Sequence, residues 1–204
     1  DKYFLYSMLK KEFEFKKAFE ELDNGNFGNY EDVKYFGLNK KASEESRNQI
    51  EVLYYNSSED FAIKLNTKQD DEVIISKGIE KDTFNDIYDE ISNREKEYNG
   101  EKEFTENDNL KIPNIKFDVQ KEFKELEKKP FKIYNNDEYI IDTAIQTIQF
   151  ELDKKGGKIK SEAGMGIAKT ALMPQEEASD FSVDNTFTIF LKEKDKDKAY
   201  FAGN

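Results

Sequence analysis

Alternation dominates the chain: apolar residues recur at every second position in several short runs, and at clear helical spacing only once. "IEVLYY" (Ile50 to Tyr55) and "DFAIKLN" (Asp60 to Asn66) are two such runs separated by "NSSE", which predicts a β-hairpin. "VKYFGL" (Val33 to Leu38) predicts a short strand after the turn-rich cluster "DNGNFGN" (Asp23 to Asn29). Phe84, Ile87, Tyr88 and Ile91 sit at i, i+3, i+4 and i+7, a helix with Thr83 or Asp82 as its N-cap. Ile115, Phe117 and Val119 alternate after Ile112 and Pro113, predicting a strand with an irregular or edge start. "QKEFKELEKKPF" predicts a short helix that stops before Pro130. The run from Tyr139 to Leu152 ends in a strand, with Gln146, Ile148, Phe150 and Leu152 on one face and Ile145, Thr147, Gln149 and Glu151 on the other. Phe187 to Leu191 and Tyr200–Phe201 predict two last strands around a charged turn. Residues 3–22 fit two patterns: Tyr3 to Leu9 reads equally as a buried strand or a helix, and the later part, with Phe13, Phe15, Phe19 and Leu22, has near-helical spacing. Strands grouped in hairpins with few helices predict an α+β fold with largely antiparallel sheets, in a single domain over residues 1–204.

One segment breaks the pattern. "GGKIKSEAGMGIAKTALMP", Gly156 to Pro174, runs small and apolar in a chain that is 37% charged. Read by parity, Ile159, Ser161, Ala163, Met165 and Ile167 fall on one face. Lys158, Lys160, Glu162, Gly164 and Gly166 fall on the other, so every charge lies on one side. Glycine weakens a strand, and small residues suit backbone that must pass close to other backbone. Two readings follow: an ordinary core strand with a flexible start, or a strand in waiting that adds to a sheet or inserts into one.

Composition narrows the function more than it specifies it. The chain of 204 residues carries 32 Lys and Arg against 44 Asp and Glu, a formal net charge of −12, which argues against nucleic acid as a partner. It has no Cys and no His, which removes disulfides, thiolate and imidazole catalysis, and imidazole metal sites. The carboxylates show no recognisable ligand spacing, and no phosphate-binding glycine motif follows a strand and opens a helix. The expectation is a protein that is not an enzyme and uses no metal or cofactor. No apolar run reaches the length of a membrane span. With Asp1 standing where an initiating Met would be, the expectation is a mature product or a fragment. The wealth of Lys, Asn, Ile, Phe and Tyr suggests an AT-rich bacterial genome.

The C-terminal arrangement resembles the serpins, inhibitors of serine and cysteine proteases. "TAIQTIQFELDKKGGKIKSEAGMGIAKTA" is similar to the family's strand, turn and hinge, with "SEAGMGIA" (Ser161 to Ala168) resembling its Ser/Thr-Glu-Ala-rich hinge. "FSVDNTFTIFLKEKDKDKAYFAGN" (Phe181 to Asn204) is similar to the strand after the reactive-centre loop and the closing hairpin. There Phe187 takes the place of the family's recurrent Phe, and Phe201-Ala-Gly matches its ending. "IEVLYYNSSEDFAIKL" and "LKIPNIKFDVQKEFKEL" extend the likeness upstream, so that it covers most of Val33 to Asn204, about the C-terminal half of a serpin. Thr186 stands where the family has Pro, and Lys154 and Lys155 stand where its turn is acidic.

The resemblance implies an incomplete serpin-like fold of mixed, largely antiparallel sheets with a few helices, and a reactive-centre-like loop at about 156–180. It implies a hinge at Gly156, Gly157, Ser161, Glu162, Ala163 and Gly164, and an inward face on insertion of Ile159, Ser161, Ala163, Met165 and Ile167. Family spacing sets the scissile bond between Thr170 and Pro174. A bond preceding Pro is a poor substrate, which favours Leu172–Met173, with Thr170–Ala171 next. Lys169 would suit a trypsin-like protease if the register slipped. The implied function is inhibition by a bait loop that inserts into a sheet after cleavage. The implied partners are a target protease and a missing N-terminal half, with an extracellular or cell-surface location if inhibitory. The alternative is a non-inhibitory serpin-related domain that binds a partner or a surface.

Overall fold

The computed structural model describes residues 2–9, 11–39, 42–132, 138–157 and 178–204. In chain order the strands are β1 (Lys2–Leu9), β2 (Phe13–Glu14), β3 (Glu20–Phe27) and β4 (Tyr30–Leu38). The short helix α1 (Glu44–Arg47) precedes β5 (Ile50–Ser57), β6 (Asp60–Asn66) and β7 (Asp71–Lys77). Helix α2 (Phe84–Glu97) leads to β8 (Asn109–Pro113), β9 (Ile115–Glu122), β10 (Pro130–Lys132), β11 (Glu138–Asp153) and β12 (Gly156–Gly157). β13 (Asp180–Ser182), β14 (Phe187–Glu193) and β15 (Ala199–Gly203) complete the chain.

The strands form three sheets: β15-β14-β7-β6-β5, β13-β8-β4-β3, and a larger one in which β11 pairs with β1, β9, β10 and β12. The five-stranded sheet is the frame. Val52, Phe61, Ile63, Val73, Ile75 and Ile189 on one of its faces join Phe13, Phe15, Phe36, Phe150, Leu152 and Phe181 from the other two sheets in one core. Leu53, Tyr54, Ala62, Ile74 and Phe190 on the other face pack under Ile87 and Ile91 of α2. Burial on both faces is why Val73, Ile74 and Ile75 form a continuous apolar run without alternation; every residue of β7 is buried.

The expected α+β fold of mixed, largely antiparallel sheets is present, and the hairpin β5–β6 forms as its pattern predicts. So does the helix with Thr83 as its N-cap, whose hydroxyl accepts from the Asp86 N–H at 3.1 Å. Two expectations fail. Residues 13–22 are not helical: Phe13, Phe15 and Phe19 are all buried, in a path where Phe15 N–H bonds the Lys155 carbonyl and Phe19 N–H the Lys154 carbonyl. Tertiary backbone pairing overrides the near-helical spacing. Nor does "QKEFKELEKK" form a helix; β9 runs through Glu122 and turns follow. Phe123 N–H bonds the Ala144 carbonyl and Lys128 N–H the Ile141 carbonyl, which holds the turns against β11 between its pairings with β9 and β10. The turn cluster at Asp23 to Asn29 narrows to Gly28–Asn29, because β3 continues to Phe27 through two register shifts.

Candidate functional site: the two anchorages of residues 158–177

The sequence-predicted residues Ile159, Ser161, Glu162, Ala163, Gly164, Met165, Ile167, Thr170, Ala171, Leu172 and Met173 lie outside the described residues. The structure describes what holds the segment at either end.

At its start, β11 turns at Lys154–Lys155 and comes back as β12, with Leu152 opposite Gly157 and Asp153 opposite Gly156. β12 does not run along a free edge. On its other side it pairs with β2, Gly156 with Glu14 and Gly157 with Phe13. Lower in the same sheet, β1 pairs directly with β11 in parallel from Lys2–Ile140 to Leu9–Ile148. The two glycines therefore stand as a wedge at the mouth of a parallel seam. Gly156 has φ +141°, a conformation that L side chains rarely adopt, and a Cβ there would overlap the Phe13 carbonyl. A Cβ on Gly157 would overlap the ring of Phe13, which is buried. Lys154 fastens the turn to Glu21 at 2.7 Å and holds that carboxylate below its ordinary range. Lys11, in the link from β1 to β2, reaches Asp71 of β7 and Glu193 of β14 at 3.0 Å each, tying that link to the five-stranded sheet.

At its end, the chain re-enters through Ser179, whose N–H donates to Asp108 Oδ1 at 2.8 Å and whose carbonyl accepts from Asn109 N–H at 3.0 Å. β13 is an edge strand of three residues, paired in parallel with β8. Phe181 fills the core against Tyr55, Phe61 and Phe104. Beyond it lies Lys77, the last residue of β7, with a side chain only 2% exposed. Its ammonium donates to Glu59 Oε1 at 2.9 Å, Asp184 Oδ1 at 2.7 Å and the Ser182 carbonyl at 3.2 Å, so all three donors are used. Asn185 Nδ2 donates to the other oxygen of Glu59 at 3.1 Å, and Gly28 N–H to the Asp184 carbonyl at 2.7 Å. Burial pulls the Lys77 ammonium down, but its bonds to Asp184 and Glu59 outweigh that and raise it above its usual value.

The bonds from Lys77 and Asn185 hold the Glu59 carboxyl below its ordinary range. A depressed carboxyl contributes stability that is complete above its unfolded pKa and is lost as pH falls through the folded one. Glu59 is largely exposed, and its carboxylate bonds Lys77 and Asn185 beside Asp184, so the effect is modest in size but definite in sign. The expected result is that the parent chain exceeds Glu59→Gln in urea midpoint at neutral pH and converges on it towards about pH 3. A gap that stays constant with pH would show that the carboxylate charge does not matter here.

Sequence reasoning placed the segment between its two glycines and β14 but missed Lys77, Asp184 and Phe13 as its anchors. The one signal for Lys77 was a lysine closing the apolar run "VIISK".

Among the described residues no group of His, Cys, Asp and Glu is arranged to hold a metal ion, and no helix is long and apolar enough to cross a membrane. The architecture is that of an incomplete serpin fold: mixed sheets with, among the described residues, few helices. No sequence-family profile matches the chain, and no curated protein matches it. Solved structures do. A serpin of the insect Tenebrio molitor, described as highly specific, superposes with a TM-score of 0.56 at 14% identity. Human thyroxine-binding globulin with its hormone gives 0.56 at 9% identity, and a second thyroxine-binding globulin complex gives 0.59 at 8%. Each likeness covers 94% of this chain and 52% of the other, so the chain spans about half the length of the structures it matches. At these identities the likeness is one of fold.

Proposed function

We propose that this chain is the C-terminal portion of a serpin-like inhibitor of serine or cysteine proteases, whose exposed segment is cut as bait and then inserts as a strand between β1 and β11. The observation that carries this is the wedge: Gly156–Gly157 already lie between β11 and β2, antiparallel to β11. A strand continuing from Gly157 would run antiparallel to β11 and, since β1 parallels β11, antiparallel to β1 as well. One parallel ladder would become two antiparallel ones, and parallel pairing is the slightly weaker kind. The register also supports the inward set. Gly157 sits opposite Leu152, which is 1% exposed, so Ile159, Ser161, Ala163, Met165 and Ile167 would follow on the buried side. Burying Ile159, Met165 and Ile167 would contribute about 1.5–3 kcal/mol each.

The mechanism needs no catalytic group from this chain. A protease would cut near Leu172–Met173, or Thr170–Ala171, and the freed hinge would zip into the seam while the protease remained attached. The partners are that protease and the missing N-terminal half. The missing half would cover Tyr3, Phe4, Leu5 and Tyr6 of β1, which are 43–63% exposed. It would also fill the cleft of about 790 Å³ lined by Phe27, Val33, Ile115, Ile148 and Phe201. The site of action would be extracellular or at the cell surface. Incubating the complete natural polypeptide with a panel of serine and cysteine proteases tests the reading. An SDS-resistant complex is expected; clean cleavage between Thr170 and Pro174 without a complex would sink it.

A second reading, a non-inhibitory binding or surface-interaction domain, is favoured by the wedge's own fastening. Lys154 of the turn is salt-bridged to Glu21, and the turn's carbonyls are bonded to Phe15 and Phe19. A start held this firmly suits a loop that is displayed and does not move.

A further inference from the structure

Asn followed by Gly occurs twice in the chain, at Asn24–Gly25 and Asn99–Gly100. Such a pair is chemically labile in water. The backbone nitrogen of the second residue attacks the side-chain amide carbon of the first. A carbon–nitrogen bond forms, the side-chain carbon–nitrogen bond breaks, and ammonia leaves with the proton that the backbone nitrogen gives up. Water then opens the cyclic imide at either carbonyl, giving aspartate or isoaspartate. Glycine favours the attack because it has no Cβ to hinder the nitrogen's approach. The main chain must also be free to turn until the two atoms meet.

The fold treats the two pairs differently. Gly25 is paired with Val33 inside β3, and Asn24 Nδ2 donates to Asp32 Oδ1 at 2.7 Å, so turning this peptide would disrupt both. Asn99 and Gly100 follow the end of α2, are exposed and lie in no strand. Asn99 Nδ2 donates only locally, to the Glu97 carbonyl at 2.9 Å. A Cβ on Gly100 would overlap the Tyr98 ring, so the fold itself keeps the second member of the labile pair a glycine.

The position of the pair gives the reaction a consequence. Residues 98–104 run as a strap along β5, the last strand of the five-stranded sheet. Val52 N–H donates to the Lys102 carbonyl at 2.9 Å and Glu103 bridges Glu51, which covers an edge that would otherwise be open. Tyr98 at the start of the strap packs against both cores, and Phe104 at its end is buried against Phe181. Isoaspartate at 99 would insert an extra main-chain carbon between these two anchored rings. It would also add a carboxylate beside the exposed Glu97, Glu101 and Glu103. We propose that Asn99 is a site of spontaneous deamidation, and that its isoaspartate form releases the strap from the β5 edge. The site thus acts as a clock: an aged chain presents an unpaired strand edge, a template for pairing with another chain. No protease and no part of residues 158–177 takes part.

The complete natural polypeptide is held folded, and in parallel in urea, at mildly alkaline pH near its growth temperature. Peptide mapping by mass spectrometry follows amide-to-acid conversion at Asn24 and Asn99, and an isoaspartate-specific methyltransferase reports the rearranged product. The urea sample gives each site's unrestrained rate. In the folded chain Asn99 is expected to stay within a few-fold of that rate, while Asn24 falls at least about tenfold below its own. Hydrogen exchange then reads the Val52 amide, whose protection is expected to drop at least about tenfold in the converted fraction. Asn99→Gln, whose longer side chain closes an imide far more slowly, should keep that protection through the same incubation. Fresh Asn99→Asp carries the new charge on an unlengthened chain and should stay within a few-fold of the parent. The proposal is overturned if the folded chain shields Asn99 as strongly as Asn24, or if the converted chain keeps the parent's Val52 exchange. Loss of protection in Asn99→Gln at the parent's pace, or in fresh Asn99→Asp to the same extent as in the converted chain, would overturn it equally.

Discussion

On the proposed insertion mechanism, Ala163→Arg is expected to convert the complete polypeptide from inhibitor to plain substrate. Continued from the observed pairing of Gly157 with Leu152, residue 163 would face the buried side of the largest sheet, the side to which Phe150 and Leu152 point. An uncompensated charge buried there would cost about 3–5 kcal/mol. That is enough to stall the zipper partway, leaving the protease time to hydrolyse its acyl intermediate and leave. The bond between Thr170 and Pro174 should still be cut at the parent's rate, while the yield of SDS-resistant complex falls more than about a hundredfold. Ala163→Ser is the control, small enough to enter and close to the parent in yield. Equal yields for Arg and Ser would refute the inward assignment, independently of which protease is used.

The second large effect concerns the wedge. Gly157→Val would drive a branched side chain into the ring of Phe13, which already packs edge-on against Phe15 at 6.2 Å between centroids. Overpacking of this kind costs about 1–3 kcal/mol, and removing the ring in Phe13→Ala about 3–5 kcal/mol. The two changes together should cost less than their sum by at least about 1 kcal/mol, because the valine would occupy space the ring has left. Urea unfolding of the parent, both single variants and the double variant gives the coupling directly. Strict additivity would mean that residue 157 does not lie against Phe13, and the wedge would go with it.

How far the fold could be read from the sequence depends on how local each pattern is. The β5–β6 hairpin, the Thr83-capped helix and β14 are legible because neighbours in sequence set their period and their ends. Residues 13–22 are not, because the spacing of Phe13, Phe15 and Phe19 answers to carbonyls of Lys154 and Lys155, far along the chain. "QKEFKELEKK" has the composition of a helix, yet β11 needs a partner between β9 and β10, and backbone bonds from Phe123 and Lys128 supply it. The parallel pairing of β1 with β11 leaves no trace in either strand's own alternation. As for the site, the paired glycines were readable, while residues 158–167, whose parity the sequence offers, lie outside the described residues. The Lys77 ion-pair anchorage was not: Glu59, Lys77 and Asp184 belong to three separate segments, and only the folded chain brings both carboxylates within 3 Å of the Lys77 ammonium.

The arrangement of the five-stranded sheet also sets an order of events during synthesis. β7, its most buried strand, takes one partner from β6 a few residues earlier and the other from β14, more than a hundred residues later. Until β14 and β15 have left the ribosome, one edge of β7 has no partner, and the core shared with Phe150 and Leu152 cannot close. The nascent chain must therefore carry residues 158–177 and an open hydrophobic strand at the same time. Protection of that strand by a chaperone, more than the speed of any single pairing, would then govern how much active protein a cell recovers.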